Sequence, residues 1–359
     1  MKAALIGAGF IAEVHARVLR EMGVEIALVV AGHEETARAF ARRYGCPRAS
    51  ASIADALGPD IGAVHVCTPP AGHEEQILPL IGAGKAVLAE KPLCPEPEGA
   101  RRLADAARAK GVPNAVDFNV RFQPGVRELK ARLKEAAFGE LRLVRGAYLQ
   151  EFHCLPAPYG WRYDERLAGP ARAITELGSH WMDLAEHVTG RRILRLGAIK
   201  ATPRPFRRLE KGMMLPAPAY ACDIEVKSED AAAVQFVMEG GVIGSLMLSE
   251  ISPGSVNALS LELTGDGRTL TWDAEDPNAL TIGSRGEGRQ ALRDPFGGGF
   301  ADTQRALFRA FYDDLTSPGA AKGGYPTFED GARSALLCAA LLESARRGGE
   351  MLDIKEDPA

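Results

Sequence analysis

The chain has 359 residues, of which 46% are hydrophobic and 25% are charged, and its formal net charge at pH 7 is −4. This length exceeds one ordinary hydrophobic core and predicts two domains, while the composition is typical of a globular protein. The slightly acidic balance argues against nucleic acid as a partner, and no apolar run is long enough for a membrane-spanning helix.

The first 120 residues alternate short apolar runs with helical patterns, which is typical of a parallel, doubly wound α/β sheet. The nearly continuous apolar character of the runs indicates strands that are covered on both faces. We therefore expect a doubly wound α/β domain over residues 1–120. The strands are predicted at 3–6, 25–30, 63–67, 85–90 and 112–118, and the helices at 10–22, 34–44, 73–81 and 96–110.

Residues 121–359 differ in character, because longer strands follow one another and are joined by turn signals. The glycine pairs at 239–241 and 265–267 indicate hairpins, whereas 203–221, rich in proline and without a clear period, is expected to be a loop. The pattern predicts an α+β domain with a large, mostly antiparallel sheet. Its strands are predicted at 141–150, 231–238, 242–249, 258–265 and 268–273, and its helices at 126–137, 302–315 and 328–347.

The six cysteines are scattered and form no CxxC pair, which argues against a disulfide framework or a thiolate zinc site. The opening segment MKAALIGAGF enters a strand at once and lacks the pattern of a signal peptide. A reducing cytoplasm is therefore the expected location.

The first predicted strand runs into a glycine-rich turn, Gly7-Ala8-Gly9-Phe10-Ile11-Ala12, which has the GxGxxG spacing with alanine in the third place. Gly7 permits a tight turn, Gly9 lets backbone approach a pyrophosphate, and Ala12 allows the helix to pack closely on the strand. The following helix N-terminus offers N–H groups to the phosphates. The turn therefore predicts dinucleotide binding; a tight turn without a ligand is the alternative.

The second predicted strand ends at Ala31, where a carboxylate would bind the ribose 2′-hydroxyl of NAD. Neither an acid nor an arginine for a 2′-phosphate occupies this place. His33, Glu34 or Arg38 could contact the ribose, but the favoured interpretation of each is the exposed start of a helix. The sequence leaves NAD and NADP open.

Glu90-Lys91-Pro92 follows a predicted strand, at the sheet edge where open α/β proteins bind ligands. A lysine there can hydrogen-bond a substrate hydroxyl and offset negative charge on its oxygen. Pro92 fixes the backbone, with a cis bond as one possibility. A solvated loop lysine is the alternative interpretation.

The segment ITELGSHWMDLAEH, 174–187, places Glu176, His180, Asp183 and His187 on one stripe at 100° per residue. Three interpretations compete: a polar helix face capped near Ser179, a metal site, and a proton-transfer site. A helix separates its first and last ionisable groups by about 16 Å, so they cannot share one ion.

Four motifs occur in an order that resembles the Gfo/Idh/MocA oxidoreductases: GAGFIA at 7–12, TPPAGH at 68–73, EKP at 90–92 and ELGSHWMD at 176–183. The resemblance covers the whole chain and implies NAD(P)-linked hydride transfer at a secondary alcohol of a sugar or cyclitol. It implies a catalytic lysine at Lys91 and a catalytic acid and histidine at Glu176 and His180. Residues 1–120 are thus expected to be a Rossmann dinucleotide-binding domain and residues 121–359 a substrate-binding and oligomerisation domain. No metal is expected. The family's usual acid is Asp rather than Glu, and its usual acid at the end of the second strand is missing here.

The resemblance and the motifs together give two sets of expected contacts. The expected cofactor contacts are Gly7, Gly9, Phe10, Ile11, Ala31, His33, Thr68, Pro69, His73, Glu90 and Lys91. The expected substrate contacts are Lys91, Asn119, Arg121, Trp161, Arg162, Glu176, His180 and Asp183.

Proton transfer is the interpretation that this cofactor favours for the stripe. Oxidation of CH–OH needs a base, and neutral imidazole has a suitable pKa near 6.5. We expect His180 to be the base and Lys91 to polarise the alcohol oxygen, with the substrate carbon between them. Glu176 is expected to orient His180 or hold a neighbouring hydroxyl, and His187 to be structural.

The loop over 151–172 is long and aromatic, which is typical of a functional segment. Trp161 and Arg162 are expected to line or cover the pocket, although the aromatic residues would also explain a loop pinned on itself. Asn119 and Arg121, at the expected domain junction, are further candidates.

Two other functions fit the same fold. One is a redox-neutral, glycoside-cleaving enzyme with a resident NAD, and the other is a non-catalytic sensor gated by a dinucleotide. A homodimer or homotetramer is expected, with the open face of the large sheet as the interface.

Overall fold

The computed structural model describes residues 1–293, 299–317 and 324–355. Its first part alternates strands and helices as the sequence predicts. The elements are β1 Lys2–Ile6, α1 Phe10–Glu21, β2 Glu25–Val30, α2 Glu34–Tyr44, β3 Arg48–Ser50, β4 Ala63–Val66, α3 His73–Gly82, β5 Ala86–Ala89, α4 Pro97–Lys110 and β6 Asn114–Val116.

The remainder contains most of the strands. Its elements are α5 Pro124–Arg132, β7 Leu141–Leu149, β8 Ala157–Pro158, α6 Glu165–Ala168, α7 Ser179–Thr189, β9 Ile193–Ala201, β10 Phe206–Glu210, β11 Met213–Pro216, β12 Ile224–Glu225, β13 Ala231–Met238, β14 Val242–Ser249, β15 Ala258–Gly265, β16 Arg268–Asp273, β17 Ala279–Ser284, β18 Gly288–Arg293, α8 Phe300–Thr316, α9 Phe328–Arg346 and β19 Leu352–Asp353. No helix of the described residues is both long and apolar enough to cross a membrane.

The chain packs as two compact units that differ from the expected division at residue 120. The first unit is Met1–Phe122 with Gly298–Ala335, and the second is Gln123–Gly297 with Leu336–Ala359. Helix α8 and the first part of α9 therefore belong to the first unit, although they follow the second in sequence. Their amphipathic patterns could not reveal which sheet they cover.

The first unit contains a six-stranded parallel sheet in the order β3-β2-β1-β4-β5-β6, which confirms the predicted doubly wound fold. One face packs against α1, α2 and α8, where Phe40, Phe308 and Phe311 are buried. The other face packs against α3, α4 and the start of α9, where Leu103 and Phe328 are buried. Both faces are covered, which explains the nearly continuous apolar strands.

The second unit contains a nine-stranded sheet in the order β18-β17-β16-β15-β7-β14-β13-β9-β19. Its neighbours are antiparallel except β7 and β14, which run parallel, so the predicted mostly antiparallel sheet is confirmed. The β13–β14 hairpin turns through Gly240 and Gly241, at φ 78° and 75°. Strands β9, β17 and β18 were not predicted, because their apolar and polar residues do not alternate cleanly.

The expectation of a loop over 203–221 is wrong. Strands β10 and β11 pair there as an antiparallel hairpin and join β12 and β8 in a separate four-stranded sheet. The turn uses Lys211 and Gly212, both at positive φ (49° and 80°), which is the backbone of a tight hairpin. The strands are too short for a clear period, and the prolines beside them hid the hairpin.

Candidate active site

The glycine turn after β1 has the geometry that a pyrophosphate requires. Gly7 has a φ of 116°, and a Cβ there would lie 2.7 Å from the carbonyl oxygen of Cys67. A Cβ on Gly9, by contrast, would meet no described protein atom within 4 Å. Gly7 is therefore needed for the turn itself, whereas the space beside Gly9 is open to a ligand.

Helix α1 begins at Phe10 without a side-chain cap on its first amides. Phe10 is 76% exposed, whereas Ala12 is completely buried against the sheet. Amides at such a helix start bind anions, because the helix supplies N–H donors and a partial positive charge. The turn and helix thus fit the phosphates of a dinucleotide.

The end of β2 fits a ribose contact made by backbone and small side chains. Ala31 is 8% exposed, and its N–H donates to Ser50 O at 3.1 Å. His33 is exposed at the start of α2, and Arg38 Nη2 lies 2.6 Å from Glu34 Oε1 in an exposed ion pair. These contacts do not distinguish NAD from NADP.

Thr68 and Pro69 follow β4, and Thr68 Oγ1 donates to Gln76 Oε1 at 2.6 Å. His73 was expected to contact the cofactor, but it is completely buried. Its Nε2 lies 2.9 Å from Thr68 O and its Nδ1 lies 3.0 Å from Leu93 O. These two contacts connect two loops, and complete burial closes the ring to a cofactor. Burial also lowers the pKa of His73.

Lys91 follows β5 and is partly buried, and its bond to Pro92 is cis. The N–H of Lys91 donates to Glu90 Oε2 at 3.2 Å. Glu90 was expected at the cofactor, but its carboxylate turns inward, with Oε1 3.1 Å from His15 Nε2. Glu90 therefore belongs to a buried polar group beneath the glycine turn.

Asn119 and Arg121 were expected to reach the substrate, but each has another partner within the first unit. Asn119 is 5% exposed and its Nδ2 donates to Thr303 Oγ1 at 2.8 Å. Arg121 Nη2 lies 2.8 Å from Asp330 Oδ1. These bonds fasten the turn after β6 to α8 and α9, which gives both side chains a structural role.

In the second unit, residues Ile174–Gly178 form a π turn that continues into α7. The N–H of Ser179 donates to Ile174 O, five residues back, and its Oγ donates to Thr175 O at 2.5 Å. The expected cap at Ser179 is therefore wrong, and the 100° spacing does not hold across the turn. Such turns occur frequently at functional sites.

The long aromatic loop meets this turn through Glu176. Arg162 Nε donates to Glu176 Oε2 at 3.1 Å, and Arg162 lies 4.5 Å above the ring of Trp161. Trp161, Arg162 and Glu176 thus form one contiguous group in the second unit.

His180 and Asp183 are nearly buried, at 9% and 7% exposure. The His180 ring packs edge-on to Tyr148 of β7, with centroids 6.4 Å apart. Trp181 is completely buried and its Nε1 donates to Ser260 O at 2.8 Å, which fixes α7 on the sheet. His187 lies elsewhere, with Nε2 3.2 Å from Lys130 Nζ.

Sequence reasoning missed a buried charged cluster behind the aromatic loop. Arg172 is 1% exposed and pairs with Asp230 and Glu250. Burial, together with Arg172, lowers the pKa of His153 to about 3, so this ring is neutral at ordinary pH. Burial raises the pKa of Glu250 to about 8 although Arg172 opposes the shift. No sequence pattern indicates this cluster, because its members are far apart along the chain.

Two family models match the chain. Residues 1–118 match the oxidoreductase family model with an NAD-binding Rossmann fold, and residues 126–271 match the GFO/IDH/MocA C-terminal domain. The chain belongs to the Gfo/Idh/MocA oxidoreductase family. The predicted family, fold and nicotinamide cofactor class are thereby confirmed.

Curated members of the family resemble this chain over nearly its full length. Levoglucosan dehydrogenase of Pseudarthrobacter phenanthrenivorans is 26% identical over 96% of this chain and 95% of its own. A myo-inositol dehydrogenase of Streptomyces leeuwenhoekii is 25% identical over 98% of this chain and 99% of its own.

Solved structures of the same family share the fold. A levoglucosan dehydrogenase in complex with NADH and levoglucosan has a TM-score of 0.87 at 24% identity, over 99% of both chains. An inositol dehydrogenase homologue of Azotobacter vinelandii in complex with NAD+ has a TM-score of 0.85 at 24% identity, over 98% of this chain and 97% of that one.

Proposed function

We propose that the protein is an NAD(P)-dependent dehydrogenase that acts on a secondary alcohol of a sugar, sugar derivative or cyclitol. The observation that carries the proposal is the glycine turn, where Gly7 is sterically required and the space beside Gly9 is open. Full-length relatives named as levoglucosan and myo-inositol dehydrogenases support the class of substrate.

Gly7, Gly9 and the start of α1 would hold the dinucleotide, which supplies a hydride acceptor when it is bound. Ile11, Ala31, His33, Thr68 and Pro69 are the remaining proposed cofactor contacts. His73 is removed from this set because it is completely buried, and Glu90 because His15 and the Lys91 N–H engage its two carboxylate oxygens.

Lys91 and His180 are the proposed catalytic pair. The Lys91 ammonium would hydrogen-bond the alcohol oxygen and stabilise its developing negative charge. His180 would accept the hydroxyl proton as general base. Its packing against Tyr148, in the first turn of α7, holds the ring in one place, as a base requires.

Glu176, Arg162 and Trp161 are the proposed walls of the substrate pocket. Glu176 Oε2 is already engaged by Arg162 at 3.1 Å, so this carboxylate is stabilised as an anion that can accept a substrate hydroxyl. The stacked Trp161 ring offers an apolar face to the C–H face of a sugar. Asp183 is a further proposed contact for the substrate or for His180.

We further propose a homo-oligomer that forms through the outer face of the large sheet. Leu143, Ile199, Ile243 and Met247 are exposed there by 44–62%. Cross-strand pairing places Ile243 beside Leu143, so the apolar side chains form a continuous patch.

All six cysteines are free thiols, which supports the proposed cytoplasmic location.

A substrate screen tests the proposed function. Sugars, 1,6-anhydrosugars, cyclitols and their keto forms are each offered with NAD or NADP, and nicotinamide absorbance is followed. The proposal expects turnover with at least one alcohol or its ketone. Binding of both cofactors without turnover on any of these compounds would count against it.

Two other functions remain distinguishable by simple observations. A redox-neutral, glycoside-cleaving enzyme would retain NAD through purification and show product without net change in nicotinamide absorbance. A dinucleotide-gated sensor would bind cofactor without turnover. Replacement of Lys91 or His180 would not change its affinity for the cofactor.

A further inference from the structure

A chain of six buried polar side chains lies beneath the glycine turn and has no role in the mechanism proposed above. None is more than 9% exposed. Three of them, Cys67, Glu90 and Asp117, are the first residues after β4, β5 and β6. The complete set is His15, His65, Cys67, Glu90, Asp117 and Tyr312.

His15 is the centre of this group. Its Nε2 lies 3.1 Å from Glu90 Oε1 and 3.3 Å from Asp117 Oδ2. On the other side, its Nδ1 lies 2.9 Å from His65 Nδ1 and 3.3 Å from Cys67 Sγ. Since α1 carries His15, one imidazole joins the helix of the glycine turn to the ends of β5 and β6.

The charges around His15 favour its imidazolium form. Ionised carboxylates only accept hydrogen bonds, so an N–H donor at His15 Nε2 matches both of these oxygens. Burial opposes a second proton, but Cys67, Asp117 and Glu90 outweigh it and raise the pKa of His15 well above its ordinary value. Burial also raises the pKa of the Cys67 thiol, and burial together with Asp117 raises the pKa of Glu90, while His15 opposes both shifts.

The remaining members accommodate that charge. Burial and the neighbouring His15 lower the pKa of His65 well below its ordinary value, so His65 is neutral. Its Nδ1 can then accept from His15, and its Nε2–H can donate to the hydroxyl oxygen of Tyr312 at 3.1 Å. Every bond in the chain thus has one donor and one acceptor.

The bridge reaches Lys91 through Glu90. The second oxygen of Glu90 accepts the N–H of Lys91 at 3.2 Å, while Glu90 N–H donates to Val66 O at 2.9 Å. Asp117 N–H donates to Ala89 O at 2.9 Å. A side chain that fixes Glu90 and Asp117 therefore fixes the point where the Lys91 backbone leaves the sheet.

We propose that His15 is a positioning residue that couples the cofactor-binding helix α1 to Lys91 through a charged bridge to Glu90 and Asp117. The proposal rests on the proposed function, because it gives Lys91 a catalytic role. A buried imidazolium compensates two carboxylates that would otherwise be costly to bury. His15 would then hold two elements in a fixed arrangement: helix α1, which binds the cofactor, and the backbone at Lys91.

A bound metal ion is the competing explanation for the same three side chains. His15, Glu90 and Asp117 each offer a ligand atom, and these atoms lie within 4.8 Å of one another. The two distances from His15 Nε2 are, however, those of ordinary hydrogen bonds, and one proton explains both. Metal analysis of the purified protein, described below, distinguishes the two explanations.

Three variants separate positioning from simple support of the fold. His15→Leu removes the bridge, His15→Gln keeps an N–H donor without the charge, and a triple variant adds Glu90→Gln and Asp117→Asn to His15→Leu. We expect His15→Leu to lower kcat about 10- to 100-fold, as a displaced catalytic group does. We also expect weaker NADH binding and little change in KM for the alcohol.

The triple variant gives the decisive comparison. Without buried anions it should regain much of the thermal stability that His15→Leu loses, yet keep a low kcat, because α1 and Lys91 stay uncoupled. His15→Gln should recover part of kcat. A triple variant that regains wild-type kcat along with its stability would show a purely structural role and overturn the proposal, as would wild-type kcat in His15→Leu.

Tyr312→Phe is the matched control, because it removes only the hydroxyl at the far end of the chain. We expect its kcat to stay within about two-fold of wild type, less than 0.5 kcal/mol by transition-state arithmetic. If Tyr312→Phe lowered kcat as much as His15→Leu does, the effect would not be specific to the contacts of His15 with Glu90 and Asp117.

Two measurements need no turnover and so separate this proposal from the proposed function. Nitrogen NMR of 15N-histidine-labelled protein should show His15 as an imidazolium at pH 7; a neutral ring would overturn the bridge. Elemental analysis should find the same metal content in wild type and His15→Leu. One equivalent of metal in wild type that is absent from His15→Leu would show a metal site in place of the bridge. Full turnover in Lys91→Ala would contradict the catalytic role of Lys91. The NMR and metal measurements would still test the bridge, because they do not depend on turnover.

Discussion

Glu176 is where this chain departs from the family's usual aspartate, and its contact with Arg162 gives a physical account of the difference. The additional methylene lets the carboxylate reach Arg162 at 3.1 Å, on the loop that also carries Trp161. Glu176 thus ties the aromatic loop to the π turn before α7. A shorter acid at this position would be one methylene further from Arg162.

Trp161→Ala tests the role of the loop at the residue scale. The variant removes the ring on which Arg162 stacks, an interaction worth about 0.5–1 kcal/mol at exposed sites, and it removes the proposed apolar wall. We expect KM for the true substrate to rise about 3- to 10-fold with a smaller change in kcat.

Tyr220→Ala is the matched control, because Tyr220 is 93% exposed and lies in a different turn of the same unit. Its KM should equal that of wild type. An unchanged KM in Trp161→Ala would leave the aromatic loop with only a structural role.

At the scale of elements, the alternation of strands and helices in the first unit follows from the apolar pattern. The turn after β1 was also predictable, because Gly7 and Gly9 stand between an apolar strand and a helix. The π turn at Ile174–Gly178 was not, because a single inserted residue leaves no mark on the hydrophobic period. The predicted stripe of Glu176, His180, Asp183 and His187 is therefore interrupted, because Glu176 lies in the π turn and the other three lie in α7.

Replacement of the two glycines by alanine separates folding from cofactor binding. Gly7→Ala places a methyl group 2.7 Å from Cys67 O at positive φ, so it should lower the free energy of unfolding by about 1–3 kcal/mol. Gly9→Ala meets no described protein atom within 4 Å, so its stability should change by less than about 1 kcal/mol.

The Gly9 variant should nevertheless bind NADH at least about 10-fold more weakly, since its methyl group enters the space of the pyrophosphate. Fluorescence titration measures the affinity and thermal unfolding measures the stability. Wild-type affinity in Gly9→Ala would contradict a phosphate site at this turn.

The loop segment that carries His153 gives the second unit a pH-dependent stability. The ring has a pKa of about 3 when folded against 6.5 as its ordinary value, so its contribution is present above pH 6.5 and is lost as pH falls towards 3. His153→Gln should therefore flatten the loss of unfolding free energy between these pH values by up to about 1.4 kcal/mol per pH unit.

Urea unfolding at several pH values measures that slope. The control is His33→Gln, at an exposed position at the start of α2. Equal slopes for wild type and His153→Gln would show that this ring gains its proton in the folded chain as readily as in the unfolded chain.

For the whole molecule, the sequence predicts the fold class, the family and the motifs, but not how distant segments assemble. Helix α8 could not be assigned to the first unit, because contacts of residues such as Phe308 lie about as far away in sequence as the chain allows. The same limit hid His15, which looked like one position of an amphipathic helix. His73 and Glu90 were assigned to the cofactor from the motifs alone, whereas the structure buries His73 completely and turns the Glu90 carboxylate towards His15.

The assembly of the whole molecule is tested by Met247→Glu, on the exposed face of the large sheet. A buried carboxylate at an apolar interface is costly, so we expect a lower mass in light scattering than for wild type. Leu167→Glu, on α6, is the control and should leave the mass unchanged. An oligomer that survives Met247→Glu would place the interface on another surface.

The most direct test of the whole account is turnover in Lys91→Ala and His180→Ala, with NADH affinity and thermal stability measured on the same samples. Lys110→Ala and His187→Gln are the matched controls. If Lys91 polarises the alcohol and His180 takes its proton, each alanine variant should stay folded and lose about 10²–10⁴-fold in kcat/KM, while the controls keep wild-type rates. Near wild-type turnover in both alanine variants on a good substrate would contradict the account.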